Sequence, residues 1–71
     1  MKIYWTVRIN YGGGAVKEAF RTEEEAKKFY DDHNYCDPPE RFFANNSNDY
    51  EWAEDRINMR EIAEEFEKSQ N

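Results

Sequence analysis

Leucine is absent from these 71 residues, and only eleven positions hold Ile, Val or Phe. That share is below the roughly 20% at which a highly charged chain becomes a candidate for disorder, so an ordinary aliphatic core is excluded. One cysteine, Cys36, leaves no internal disulfide. Small exported domains normally carry several such staples, so a cytoplasmic setting is expected. Nothing approaches 18 consecutive apolar residues, and no basic stretch runs into an apolar one after Met1. Neither a membrane span, a membrane partner nor a secretory signal is therefore expected. Proline and glycine are confined to Pro38-Pro39 and Gly12-Gly13-Gly14, so chain breaks are signalled at only two places. At 71 residues there is room for one small domain, spanning 1–71.

Aromatic residues are what the chain has in place of leucine. Its twelve Phe, Tyr and Trp side chains each bury about 150–250 Å² when packed, enough to organise a small core around rings. A folded domain is therefore expected. Charge is the other excess: 16 acidic against 10 basic side chains give a net −6. Residues 1–20 carry a net +2 and residues 21–71 a net −8. Such asymmetry bears on partners and encounter rates, and here it points to a protein partner with a basic surface.

From Lys2 to Asn10 the sequence alternates, with Ile3, Trp5, Val7 and Ile9 on one side and Lys2, Tyr4, Thr6, Arg8 and Asn10 on the other. This is the period of a half-buried strand. The glycine block predicts a hairpin whose turn uses positive φ, with Ala15 to Phe20 returning antiparallel. Glu18 sits awkwardly on the apolar face of that return. Thr22 and Glu25 have capping-box spacing, and Ala26, Phe29, Tyr30 and His33 share one face of the helix that follows, which Asn34 ends. Asp37-Pro38-Pro39 forbids further helix. Arg41 to Ala44 reads as a short third strand, and Asn45 to Asn48 as a turn or a helix cap.

Residues 49–69 read as a long helix, with Trp52, Met59, Ile62, Ala63 and Phe66 in one apolar sector expected to face the sheet. Ile57 to Ile62 also reads as a hydrophobic staple around a capping box, which offers a place for a break or kink near Asn58. The expected class is α+β with order ββα(β)α. A rival ββαββα arrangement would make 50–56 a strand, against the poor strand content of Glu51, Ala53, Glu54 and Asp55.

No catalytic motif is present, and no enzyme activity or cofactor is expected. Gly12-Gly13-Gly14 lacks the Gly-Lys-Ser/Thr ending of a phosphate loop. His33 and Cys36 form only one of the two ligand pairs typical of a zinc site, so no metal is expected. Two surfaces remain. The first is acidic: Glu51, Glu54, Glu61 and Glu65 recur along one side of the last helix with Asp55 beside them, Glu24 adds charge from the first helix, and Tyr11 stands at the hairpin tip as an aromatic anchor. The second is the strand side bearing Lys2, Tyr4 and Arg8, joined by Lys17, a basic and aromatic pattern on which single-stranded bases can stack.

An N-terminal hairpin over Lys2 to Phe20, acidic helices over Thr22 to Asn34 and Asp49 to Gln70, small size and the lack of a catalytic motif resemble small phage-encoded anti-defence proteins, anti-CRISPR proteins above all. The resemblance lies in architecture, with no shared motif. It implies stoichiometric inhibition of a nucleic-acid-handling complex, with carboxylates and exposed aromatics occupying the basic surface where nucleic acid binds. Direct nucleic-acid binding by the strand face is the alternative expectation.

Overall fold

The computed structural model describes residues 1–70. Its elements are β1 (Lys2–Tyr11), β2 (Gly14–Phe20), α1 (Glu23–Asp32), β3 (Glu40–Ala44) and α2 (Ser47–Gln70). The order is the expected ββαβα, and residues 50–56 are helical, so the ββαββα alternative is not adopted. The three strands form one antiparallel sheet in the order β2-β1-β3. β1 is central, paired from Trp5↔Phe20 to Tyr11↔Gly14 on one side and from Lys2↔Ala44 to Thr6↔Glu40 on the other. Beyond β3, the 35–37 loop continues this pairing: Asn10 N–H donates to the Tyr35 carbonyl and Asp37 N–H to that of Arg8, with Cys36 bridged to Ile9.

The two-residue loop Gly12-Gly13 makes the hairpin, but no glycine adopts positive φ. A Cβ at any of the three would meet nothing within 4 Å. The expected left-handed turn is therefore corrected: the reversal uses negative φ, which most residues tolerate.

The helices cap as their sequences direct. Thr22 Oγ1 accepts from Glu25 N–H at 3.2 Å and donates to the Glu25 carboxylate at 3.0 Å, so the cap half of the capping box forms while the carboxylate returns to the Thr22 hydroxyl rather than to its backbone N–H. The far end of α1 comes sooner than Asn34, because His33 turns extended and its Nδ1–H donates to the Phe29 carbonyl at 2.8 Å. Asn46 caps α2 by accepting from Asp49 N–H at 2.9 Å, which places the start at Ser47 rather than 49. No break occurs near Asn58. The 24 residues run as one helix, about 36 Å long at 1.5 Å per residue, comparable with the molecule's longest extent of 39 Å.

Both faces of β1 are covered, which the alternating pattern alone does not reveal. On one face, Val7 and Phe20 pack with Ala26 of α1, joined by Trp5, Phe29 and Tyr30. On the other, Tyr4, Ala19 and Ala44 pack against Ala53 and Ile57 of α2, with Phe42 and Trp52 alongside. Alanines line that second interface on both sides, so α2 can approach closely and the Tyr4 ring fills the space.

The rotation of α2 departs from the sequence expectation. Ala53 and Ile57 face the sheet, while Met59, Ile62 and Phe66 lie about half a turn round the helix at ~100° per residue and are exposed. Of the expected apolar sector, Trp52 touches the core, its ring edge-on to Phe42 at 5.3 Å. Ile57 is 1% and Ile62 60% exposed, so the two isoleucines should respond oppositely to truncation. Ile57→Ala is expected to cost about 2–5 kcal/mol of unfolding free energy. Ile62→Ala should stay within about 0.5 kcal/mol of the parent. Urea unfolding of the two variants checks this, and equal losses would contradict the rotation of α2 described here.

Candidate functional site

The expected acidic stripe divides into two parts. Glu54 is turned inward. Its Oε2 accepts from the Tyr4 hydroxyl at 2.6 Å and lies 3.4 Å from Lys2 Nζ, while its Oε1 pairs with Arg21 at 2.9 Å. Arg21, in the turn between β2 and α1, extends the network to Glu61 at 3.2 Å. Glu54 and Glu61 are thus held by cations of the same chain and correct the expectation of a free row of four. Glu51, Asp55 and Glu65 remain exposed and enter no salt bridge among the described residues, as does Glu24 of α1.

The network fixes protonation in a definite direction. Burial, reinforced by the Glu54 carboxylate that accepts its hydrogen bond, pushes the Tyr4 hydroxyl well above the usual phenol range. The same hydrogen bond, with help from Arg21 and Lys2, holds the Glu54 carboxyl below the ordinary carboxylate value. Arg21 is raised because Glu54 and Glu61 outweigh its partial desolvation.

The strand side proposed for base stacking is corrected by the same geometry. Tyr4 is 0% exposed, packed against Ala53 and Ile57 of α2, and Thr6 is buried with its hydroxyl donating to the Glu40 carbonyl, so the Tyr4 ring presents no face to a ligand. Lys2 lies over the rings of Tyr4 and Tyr50, 5.1 and 5.5 Å from their centroids. Arg8 and Lys17 are exposed and directly opposed across β1 and β2, beyond the part of the sheet where the buried residues cluster.

Arg60 explains the misplaced Glu18. From α2 it reaches the outer edge of β2, where its Nη1 donates to the Ala19 carbonyl at 2.6 Å and pairs with Glu18 at 3.4 Å. Its guanidinium also sits 3.9 Å from the centroid of Phe20. A carboxylate on the apolar face is thereby matched, and an edge carbonyl is closed.

His33 and Cys36 do not assemble a reactive pair. The imidazole stacks on Phe29 at 3.9 Å, and the Cys36 thiol donates to the Asn34 carbonyl at 3.6 Å. Among the described residues no group of three or more His, Cys, Asp or Glu side chains is placed to hold a metal, and no helix is long and apolar enough to cross a membrane. Between α1 and α2, a groove has Glu25, Asp32 and Glu64 on its walls. Lys28 and Arg60 line it as well, leaving mixed charge.

Two exposed features escaped the sequence reading. One is the uncovered sector of α2. Down its outer side the helix presents Glu51, Asp55, Met59, Ile62 and Phe66 at i, i+4, i+8, i+11 and i+15, acid first and apolar after. Met59, Ile62 and Phe66 are 60%, 60% and 64% exposed. The periodicity carries this signal but by itself points the sector at the core. The other is Tyr35, 81% exposed with φ of 64°, a left-handed conformation that a bulky residue seldom takes. It lies beside the exposed Tyr11 in a shallow depression at the hairpin tip, and no periodicity could mark it. Comparison with protein-family profiles, curated proteins and solved structures gives no match for this chain.

Two stability measurements follow from the site. The depressed Glu54 group contributes stability that is fully present above the unfolded carboxylate value, about 4.3, and is lost as pH falls through its lower folded value. Raised Tyr4 gives the opposite limb, losing stability as pH climbs past about 10. Glu54→Gln should lower stability by about 1 kcal/mol at pH 7 and flatten the acid limb, and Tyr4→Phe should flatten the alkaline one. Denaturant midpoints measured from pH 3 to 11 test both, and unchanged limbs would refute the coupling. Separately, Tyr35→Asn should raise stability by about 0.5–1 kcal/mol, since Asn tolerates the left-handed region better. A lower melting temperature would show that the exposed ring makes stabilising contacts after all.

Proposed function

We propose that this chain is a small acidic protein–protein interaction module, a stoichiometric inhibitor that occupies the basic nucleic-acid-binding surface of a partner complex in the cytoplasm. The observation that carries the reading is the division of its carboxylates. Glu18, Glu54 and Glu61 are the acidic side chains in salt bridges among the described residues, which leaves Glu51, Asp55, Glu65 and Glu24 to act outward. At net −6 the protein attracts a cationic surface and repels a polyanion, which favours a protein partner over nucleic acid. Free carboxylates steer encounter, and exposed rings such as Tyr11 and Tyr35 supply the buried contacts that give affinity. The reading needs no catalytic group and no cofactor. It accords with the anti-CRISPR-type resemblance, in which the target is a host defence complex.

The test begins with nuclease-treated capture of partners from the host. Displacement of labelled nucleic acid from the captured complex is then measured as the protein is titrated in. Release should saturate near one protein per site and weaken as salt rises. The triple change Glu51→Lys, Asp55→Lys, Glu65→Lys should weaken release at least tenfold at unchanged melting temperature. Full potency in that variant, or direct binding of the wild-type protein to the labelled oligonucleotide, would remove the reading.

A further inference from the structure

The uncovered sector of α2 is the strongest unexplained feature of the molecule. Its apolar side chains have helical spacing, as a helix built to be covered has, yet the sheet is met by Ala53 and Ile57 instead. Met59, Ile62, Ala63 and Phe66 form a shallow apolar surface directly in line with Asp55 and Glu51, with Glu65 on one flank and, beside Met59 and Ala63 on the other, Arg56 and the Glu18-paired Arg60. Scattered exposed apolar residues are normal on any protein, whereas a contiguous patch bordered by charge marks a contact site.

We propose that this face docks an amphipathic basic helix of a partner protein, laid along α2 with its apolar residues on Met59, Ile62 and Phe66 and its Lys or Arg residues against Glu51 and Asp55. The inference rests on the acidic-module reading and names the site and the chemistry of the partner. Charge complementarity selects this occupant. The acid end of the line and the apolar end lie on one helical face, so a ligand helix with cations on one stretch and apolar residues on the next satisfies both, in the manner of helix-in-groove recognition. A second copy fits poorly. Three side chains at this exposure offer on the order of 400 Å² per copy, about 800 Å² for a symmetric pair, below the roughly 1,200 Å² in total that specific assembly buries. Two copies at net −6 would also bring like charges together. A basic partner adds ionic attraction where the apolar area alone is small.

The experiment uses the full chain and three synthetic 18-residue peptides. One is a helix former with two lysines a turn apart followed by two turns of leucine on the same face. The second has the same composition in scrambled order, and the third has the lysines replaced by glutamate. Binding by fluorescence anisotropy at low salt should favour the first peptide at least tenfold over each control. In the wild-type protein, it should shift the NMR methyl signals of Met59 and Ile62. Phe66→Ser and Ile62→Ser should each weaken it at least fivefold, and Asp55→Lys should weaken it by a similar factor that shrinks at high salt. Equal binding of the scrambled peptide, or methyl signals that do not move, would overturn the docking site while leaving the acidic-module reading intact. Sedimentation showing a wild-type dimer that Phe66→Ser dissolves would assign the face to a second copy and overturn it too. Selective peptide binding together with failure to release nucleic acid from the captured complex would retain the docking site and end the inhibitor reading.

Discussion

A phenol hydroxyl enclosed between a sheet and a helix must find an acceptor, because an unpaired one costs on the order of a few kcal/mol. In this protein the hydroxyl is that of Tyr4 and the acceptor is Glu54 of α2. Much of the remaining structure follows from that pairing. To bring Glu54 over Tyr4, α2 must be turned so that Ala53 and Ile57 face the sheet, and the alanines of β2 and β3 allow the approach. Arg21 and Lys2 compensate the charge so introduced. With rotation fixed there, Met59, Ile62 and Phe66 have no course but outward, since they lie about half a turn from Ala53 and Ile57.

The sheet has a second vulnerable place, the outer edge of β2. Exposed strand edges offer unpaired amides and carbonyls to other chains. Arg60 answers this at one carbonyl by donating to Ala19 while its planar guanidinium covers Phe20 and meets Glu18. One nitrogen, Nη1, serves both oxygens while the planar guanidinium lies over the Phe20 ring, a flat contact that a lysine ammonium could not reproduce. The edge of β1 beyond β3 is closed differently, by backbone pairing of the 35–37 loop, and that closure holds Tyr35 in left-handed geometry. Loop pairing and the exposed ring at the tip are therefore parts of one local arrangement.

These details explain what could be read from the residues alone. Strand alternation, the glycine reversal, the Thr22–Glu25 cap and the stop at Asp37-Pro38-Pro39 are local signals, and each element they imply is present. The sign of φ at the glycines was not legible, because glycine permits either. The cover over both faces of β1 was not legible either: Tyr4 and Thr6 read as a polar side by type, although a tyrosine buries readily once its hydroxyl is paired. On α2, the apolar sector outscored Ala53 and Ile57 as the core face because it holds more large apolar side chains, whereas the sheet is met where Ala53 permits close approach and Ile57 fills the space beside it. Glu54 and Glu61 looked like members of a surface row because their partners, Tyr4 and Arg21, are distant in sequence. Misreading one helix rotation thus misassigned both the core and the candidate site.

The resulting distribution of apolar surface runs against self-sufficiency. A core of small alanines, with Tyr4, Val7, Ile57 and Phe20 as its bulky members, lies inside, while larger side chains that would add burial stay outside on α2. At roughly 25 cal/mol per Å², turning that sector inward would increase apolar burial, but it would also strip Tyr4 of its acceptor and carry Glu54 away from Arg21 and Lys2. The polar network therefore opposes the rotation that hydrophobic burial alone would favour, and the helix is held with its most hydrophobic side to solvent. Because the same rotation leaves Glu51 and Asp55 beside that side, the constraint that stabilises the fold also sets an anionic and an apolar contact in line on one rigid element.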